Sequence, residues 1–402
     1  MKVLIITAAF PPEPVVSSNI SYDLAIALVN CNEVTVLCPK PTRPYGVNYE
    51  DIAVQENGKP FKQIRLPSFT SPQSSLLGRF WESYSIGKCS QDYIKRNHED
   101  IDVIYLNTWP LWGQYFVVRA AKKFNLPVVI HIQDIYPESL LGKLPLLKGL
   151  IYKILLPTDK YIQQNATKVI TISPSMKSFL VKTRKLEDEK VEIIYNWQNE
   201  ESFLEYRKNK EYSQESSPFT FMFLGTLNTT AAVHILIIAF GKAALKNARL
   251  VIAGNGSEKQ NLIALVNTYK DVNIEFWDAP MQLVPFIQDK ANILLLNLCK
   301  GAAQFALPSK LPAYLFSEKP IIASVDEDSD TAKSISTADC GWIVPPENTE
   351  LLAGAMRNAV LTSPEKLKSI GYNGSIFALK FLSRKNNLKK MVAIIENAIK
   401  IK

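Results

Sequence analysis

Two successive series of short, predominantly apolar runs, each separated by amphipathic stretches, constrain this chain more than any other feature. In the first half the runs cover residues 3–7, 34–37, 103–106, 128–132, 169–172 and 191–194. They read as strands buried on both faces, the pattern of a parallel sheet. Helical periodicity falls between them at 18–29, 76–97, 111–124, 144–164 and 175–181. Strands alternating with helices of this length predict a doubly wound α/β sheet. Residues 196–218, rich in Glu, Lys, Asn and Ser, interrupt the alternation and read as a linker. The pattern then restarts, with strands expected at 219–224, 250–253, 272–276, 293–296, 321–323 and 341–344. Helices are expected at 232–244, 258–269, 281–288, 311–316 and 349–361. The expected organisation is an α/β domain over 1–195, the linker 196–218 and a second α/β domain over 219–380. A Lys-rich helix within 381–402 is expected to pack back on the first domain.

At 402 residues the chain exceeds one ordinary core, in keeping with two domains. Its 47% hydrophobic and 21% charged content describes a globular protein. The opening MKVLIIT reads as a first buried strand, because its apolar run is short and no small-residue cleavage site follows. No run approaches the roughly 20 apolar residues of a membrane span, so a cytoplasmic protein is expected. Five scattered cysteines without a C-x-x-C pair, and three histidines without ligand spacing, offer no disulfide framework and no metal site. No cofactor is expected. A net charge of +8 favours anionic partners, nucleotide diphosphates or acidic lipid headgroups. The positive charge is spread along the chain without an RNP-type or Arg-rich motif, so nucleic acid is not expected.

Three segments of the second half follow an apolar run and open a helix. They are FLGTLN (223–228), AGNGSE (253–258) and PSKL (308–311). Loops at this position present backbone N–H groups to anions. Gly225 allows close backbone approach, and Gly254 and Gly256 allow a tight turn; Gly256 by itself reads as a turn glycine more readily than as a ligand contact. Lys310 supplies a point charge suited to a diphosphate, or is an exposed lysine at a helix start. In the first half, HIQDIYPES (131–139) and the PPE loop (11–13) occupy the equivalent strand ends.

The run PSKLPAYLFSEKPIIAS, followed by GWIVPPE, lies within Gly301–Pro346. It resembles the nucleotide-sugar site of GT-B glycosyltransferases of family 4, in particular the branch that builds bacterial surface polysaccharides. DIYPES resembles a segment common in the same branch. The resemblance implies two Rossmann-like domains facing a central cleft and a nucleotide-sugar donor, most often UDP-linked. It also implies a lipid-linked saccharide acceptor, transfer with retention, and a place on the inner membrane surface. The donor-side candidates are Gly225, Thr226, Gly254, Gly256, Asp278, Leu307, Ser309, Lys310 and Leu311. On the acceptor side they are Glu13, Ser17, Ser18, Asn19 and Trp109. Asp134, then Glu138, would place a carboxylate beside the acceptor hydroxyl or a developing oxocarbenium ion. Alternatively Asp134 caps a turn, Glu138 begins a helix, and Glu13 meets the next helix's N-terminus.

The chain departs from the family pattern at several positions. The two family glutamates fall on Phe305 and Ala313, residues 229–233 lack the usual basic pair, and Val15 and Val16 replace two glycines. Gln133 stands where many relatives outside that branch have histidine. Glu318 is the nearest carboxylate that could replace the one lost at Ala313. These losses keep a second reading open, a catalytically degenerate GT-B protein that binds a partner or glycan. An epimerase fits less well, with only His131 nearby, and a dehydrogenase lacks its G-x-G-x-x-G after the first strand. Residues 140–157, with Lys143, Lys148 and Lys153 among apolar residues and near Trp109, Trp112 and Tyr115, form either a lipid-docking surface or a core helix with snorkelling lysines.

Overall fold

A computed structural model describes residues 1–43, 49, 58–72, 75–107, 111–141, 148–210, 218–269, 272–302 and 307–401. It divides into two units, Met1–Asn196 with Asn387–Lys402, and Trp197–Asn386.

The strands of the first unit are β1 (Lys2–Thr7), β2 (Glu33–Cys38), β3 (Lys62–Arg65), β4 (Val103–Asn107), β5 (Val128–Ile132), β6 (Lys168–Thr171) and β7 (Val191–Ile193). Its helices are α1 (Val16–Leu28), α2 (Leu76–Asn97), α3 (Trp112–Lys123), α4 (Glu138–Leu141), α5 (Lys148–Asn165) and α6 (Pro174–Arg184). All pairings are parallel, in the order β3-β2-β1-β4-β5-β6-β7. Val3–Ile6, Val103–Leu106 and Val128–Ile130 are buried, as strands covered by helices on both faces must be.

The second unit contains α7 (Glu201–Asn209), β8 (Phe219–Leu224), α8 (Val233–Ala243), β9 (Ala248–Ala253), α9 (Lys259–Val266), β10 (Ile274–Trp277), α10 (Val284–Asp289), β11 (Ile293–Asn297), α11 (Leu311–Phe316), β12 (Ile321–Ser324), α12 (Asp330–Ala338), β13 (Gly341–Val344), α13 (Thr349–Leu361) and α14 (Pro364–Phe381). Its parallel sheet runs β10-β9-β8-β11-β12-β13. Helix α15 (Arg384–Ala398) begins in this unit and ends in the first, where Asn387 Nδ2 donates to the Tyr195 carbonyl and Asn32 Nδ2 to Glu396 Oε1.

Two Rossmann-like parallel sheets are therefore present, as the sequence pattern leads one to expect. Four elements depart from it. β3, sequence KQIR, sits on the sheet edge, where burial is partial and no apolar run is required. The stretch read as a linker carries α7, a polar helix held by Phe203, which is buried with its ring 6.0 Å from that of Phe316. α12 and α14 start on Ser329 and Ser363, whose hydroxyls accept from the N–H groups of Ala332 and Lys366.

Each sheet has one place where strand order reverses, between β1 and β4 and between β8 and β11. In open α/β sheets such reversals create the crevice at the strands' carboxyl ends where ligands bind.

Candidate functional site

At the β8/β11 reversal the ladder stops early. Ile293 pairs with Phe221 and Leu294 with Met222, and the strands part beyond them. The Tyr314 hydroxyl, carried by α11, fills the fork. It accepts from the Leu224 N–H at 2.8 Å and donates to the Leu224 carbonyl at 3.0 Å, with the Leu295 carbonyl 3.3 Å away. The backbone groups left unpaired by the parting strands are thereby satisfied without water. α11 is in turn fixed against the open strand ends.

That anchoring positions Lys310, the residue immediately before α11. Its half-buried ammonium lies 3.9 Å from the centroid of the Phe223 ring, at the end of β8. Among the described residues no carboxylate pairs with it. Burial alone pushes its pKa down to about 8. Gly225 leaves room for it: a Cβ there would stand 3.1 Å from Lys310 Nζ, on a backbone with φ +153°. The result is a cation at the switch point with no acidic partner among the described residues.

Gly254 and Gly256 serve the same loop from behind. A Cβ on Gly254 would lie 2.1 Å from the Gly225 carbonyl oxygen, and one on Gly256 2.2 Å from that of Leu227. Gly225 N donates to the Ala253 carbonyl at 3.0 Å and Leu227 N to the Asn255 carbonyl at 2.9 Å. The two glycines let the loops after β8 and β9 run in backbone contact. Asn297 ties a third segment to the fork, donating 2.9 Å bonds to the carbonyls of Ala231 and Ala232.

Thr226 and Ser309 are exposed and Leu307 is half-buried, all three on the loops that flank Lys310. Leu311 is a correction: its side chain is fully buried and its N–H is bonded to the Pro308 carbonyl at 3.0 Å, so neither can meet a ligand. Asp278 is another. It lies past β10 at the sheet edge, two strands and roughly 10 Å from β8, exposed and 3.7 Å from Lys259 Nζ. Glu318 does not replace the missing carboxylate, because it pairs with Arg207 and accepts from Ser375 Oγ at 3.0 Å. Ala313 is buried and Phe305 lies outside the described residues.

At the first unit's reversal, a polar network joins β1, α1, β4 and the loop after β5. Ser21 Oγ donates to Thr7 Oγ1 at 3.1 Å, and Asn107 Nδ2 donates to Ser21 Oγ at 3.0 Å and to the Ser17 carbonyl at 3.3 Å. Gln133 Nε2 reaches Asn107 Oδ1 at 3.3 Å. Asp134 follows, exposed at the strand end. Ser17 is half-buried, Asn19 exposed, and Ser18 buried with its hydroxyl unpartnered. Trp109 lies outside the described residues.

Two acidic candidates have other employment. Glu13 is buried and accepts from the backbone N–H groups of Thr42 and Arg43 at 2.8 and 2.9 Å, so it pins the loop after β2 rather than the N-terminus of α1. Glu138 does begin a helix, and its carboxylate is gripped by Arg184 at 2.8 and 2.6 Å. The same fully buried guanidinium bonds Asp159 Oδ2 at 2.7 Å and the Tyr136 carbonyl at 2.8 Å. A carboxylate held bidentately in this way is a structural anchor and a poor general base. His131 is buried, with Nδ1 2.8 Å from the Tyr105 hydroxyl, and burial pushes its pKa down to about 3. It is a neutral core residue. Sequence reasoning missed Tyr314, Phe223, Asn297 and Arg184, since the role of each is set by distant partners. Among the described residues no group of three His, Cys, Asp or Glu is placed to hold a metal, and no helix is long and apolar enough to cross a membrane.

Two Rossmann-like parallel sheets in one chain are the architecture of the GT-B class of folds. Residues 18–201 match the family described as Glycosyltransferase Family 4, and residues 206–376 match Glycosyl transferases group 1. These two matches place the chain among the GT-B glycosyltransferases. A curated relative, the probable glycosyltransferase WbjE of Pseudomonas aeruginosa, is 23% identical over 63% of this chain and 64% of its own length, just under two thirds of that protein. Solved structures agree on the fold. Anabaena HepE in complex with UDP superposes with a TM-score of 0.70 at 14% identity, over 99% of this chain and 100% of that one. WaaG, a glycosyltransferase involved in lipopolysaccharide biosynthesis, superposes with a TM-score of 0.62 at 17% identity, over 98% and 99% of the two chains.

Proposed function

We propose that this protein transfers a sugar from a nucleoside diphosphate sugar, with UDP as the nucleotide, to a lipid-linked saccharide during surface polysaccharide synthesis. One observation carries the donor half of the reading: the half-buried Lys310 at the β8/β11 switch point, with no carboxylate paired to it among the described residues. A diphosphate there would supply the missing counter-charge, and the lysine would stabilise the charge that develops on the leaving nucleotide. The loops at Gly225 and Pro308–Lys310 let the phosphates approach. UDP in the HepE complex supports the choice of nucleotide. The role of WaaG in lipopolysaccharide synthesis supports the acceptor class. Retention follows from the family resemblance. Front-face attack requires chiefly a positioned acceptor and a stabilised diphosphate. Asp134 is the carboxylate we assign to the acceptor hydroxyl, since Glu138 is held by Arg184.

A non-catalytic, ligand-binding role is the second reading. It is favoured by the buried Ala313 at a family carboxylate position and by the engagement of Glu318 with Arg207. Thermal shift with UDP, GDP and ADP sugars, followed by transfer to a prenyl-diphosphate-linked saccharide, separates the two. The transferase reading expects a shift with one nucleotide series, turnover with its sugar, and loss of turnover in a folded Lys310→Ala variant. A nucleotide shift without hydrolysis or transfer favours the binding role. Unchanged turnover in Lys310→Ala would show that the donor site is misplaced.

A further inference from the structure

Arg184 is the last residue of α6, and its side chain is fully buried. A guanidinium carries five N–H donors in one rigid plane. Here every donor has an acceptor. Nε donates to Asp159 Oδ2 at 2.7 Å. Nη1 donates to Glu138 Oε1 at 2.8 Å and to Thr183 Oγ1 at 2.9 Å. Nη2 donates to Glu138 Oε2 at 2.6 Å and to the Tyr136 carbonyl at 2.8 Å. The partners are held in turn by α5, where Gln163 Nε2 donates to Asp159 Oδ2 at 2.8 Å and Gln164 Nε2 to the Arg184 carbonyl at 2.9 Å. The ring of Phe179, one turn back on α6, lies 5.6 Å from Cζ.

These bonds converge on one loop. Residues 133–137 leave the carboxyl end of β5, enter α4 and carry the exposed Asp134. Just before it, Gln133 Nε2 bonds Asn107 Oδ1 of β4 at 3.3 Å. Just after it, Ile135 is buried and its carbonyl accepts from Ser139 N at 2.9 Å. Tyr136 and Glu138 then meet the guanidinium. Asp134 thus stands at the surface between two tied neighbours. A buried ion triad adds little net stability over apolar packing of the same volume. What a fully satisfied fork adds is geometry: with all donors engaged the guanidinium has one orientation, and the Tyr136 carbonyl is fixed with it.

We propose that Arg184 is the positioning residue for Asp134, its bond to the Tyr136 carbonyl setting where that carboxylate stands against the acceptor hydroxyl. The inference rests on the transferase reading above, in which Asp134 serves the acceptor. A lysine in its place would keep a positive charge near Glu138 and Asp159. A single ammonium with three donors cannot span both carboxylates and the carbonyl, so the loop would lose its tie.

Steady-state transfer by Arg184→Lys is the test, beside Leu180→Ala, which truncates a fully buried side chain of the same helix and leaves the fork intact. Urea unfolding should show both variants folded and destabilised. Arg184→Lys should lower kcat by about ten- to a hundredfold, the loss that a misplacement of about 1 Å brings. Its KM for the nucleotide sugar should stay within about twofold, as should kcat in Leu180→Ala. On an Asp134→Asn background Arg184→Lys should cost no further turnover, because it acts through that carboxylate. Asp159→Asn, which weakens the hold on Nε, should lower kcat severalfold and carries the test should Arg184→Lys unfold. Unchanged kcat in Arg184→Lys, an equal fall in Leu180→Ala, or losses that multiply in the double variant would overturn the proposal. Hydrogen exchange is read on the same proteins. Arg184→Lys should speed exchange across residues 133–141 by at least about tenfold relative to Leu180→Ala, and equal rates in the two would also overturn it. An unaltered chain without turnover refutes the transferase reading alone, and the exchange rates then decide whether Arg184 holds the loop.

Discussion

The Lys310 ammonium lies over the ring of Phe223 at 3.9 Å with no carboxylate paired to it among the described residues, while Tyr314, four residues on, locks the helix that follows to Leu224. A ring face offsets part of the cost of removing an ammonium from water, and burial still lowers the pKa to about 8. The position costs the folded chain stability. It gains meaning only if an anion binds.

Replacing Lys310 with Met should therefore stabilise the unliganded protein by about 1–3 kcal/mol, since the apolar stem is kept and the uncompensated charge is removed. Differential scanning calorimetry should show the unfolding midpoint raised by a few degrees. A lowered midpoint would mean the ammonium has a partner that stabilises the fold.

The same pKa fixes a pH dependence. The group is depressed from 10.5 to about 8 in the folded chain, so the folded state loses its proton first as pH rises. Nucleotide affinity should hold below pH 7 and fall as the pH climbs through about 8. Lys310 alone makes the unliganded protein more stable between about pH 8 and 10.5, where the unfolded chain binds the extra proton. Titrations at pH 7 and pH 9 read the affinity, and equal values at both would exclude the lysine from binding.

Gly254→Ala should unfold or severely destabilise the second unit, because its Cβ would fall 2.1 Å from a backbone oxygen at φ +134°. Gly301→Ala, at φ +77° with nothing within 4 Å, should cost only about 1 kcal/mol. Comparable losses in the two variants, measured by urea unfolding, would contradict the loop contact.

Arg184→Met should cost about 3–5 kcal/mol by leaving the buried Asp159 and the half-buried Glu138 without their cation. Glu138→Gln should lower stability more than it lowers turnover. A large fall in kcat at unchanged stability would return Glu138 to the catalytic group.

Most strands were legible because parallel strands covered on both faces are apolar over most of their length, as in residues 293–296. β3 was not, since an edge strand reading KQIR carries no such pattern. α7 was missed because a single buried residue, Phe203, holds an otherwise polar helix. In the site, Gly225 and Lys310 were legible from local chemistry at strand ends. Tyr314 and Arg184 were not, for their partners lie 90 and 46 residues away. Glu138 shows the converse: its place after a strand suggested chemistry, and only the distant guanidinium reveals its structural use.

Isothermal titration of UDP into the unaltered chain and into Lys310→Met tests the central claim most directly. The expected result is saturable binding by the first and a loss of at least about tenfold in the second, the value of one charge-assisted contact to a phosphate, together with the higher unfolding midpoint. Equal affinity in the two proteins would contradict the assignment of Lys310 to the diphosphate.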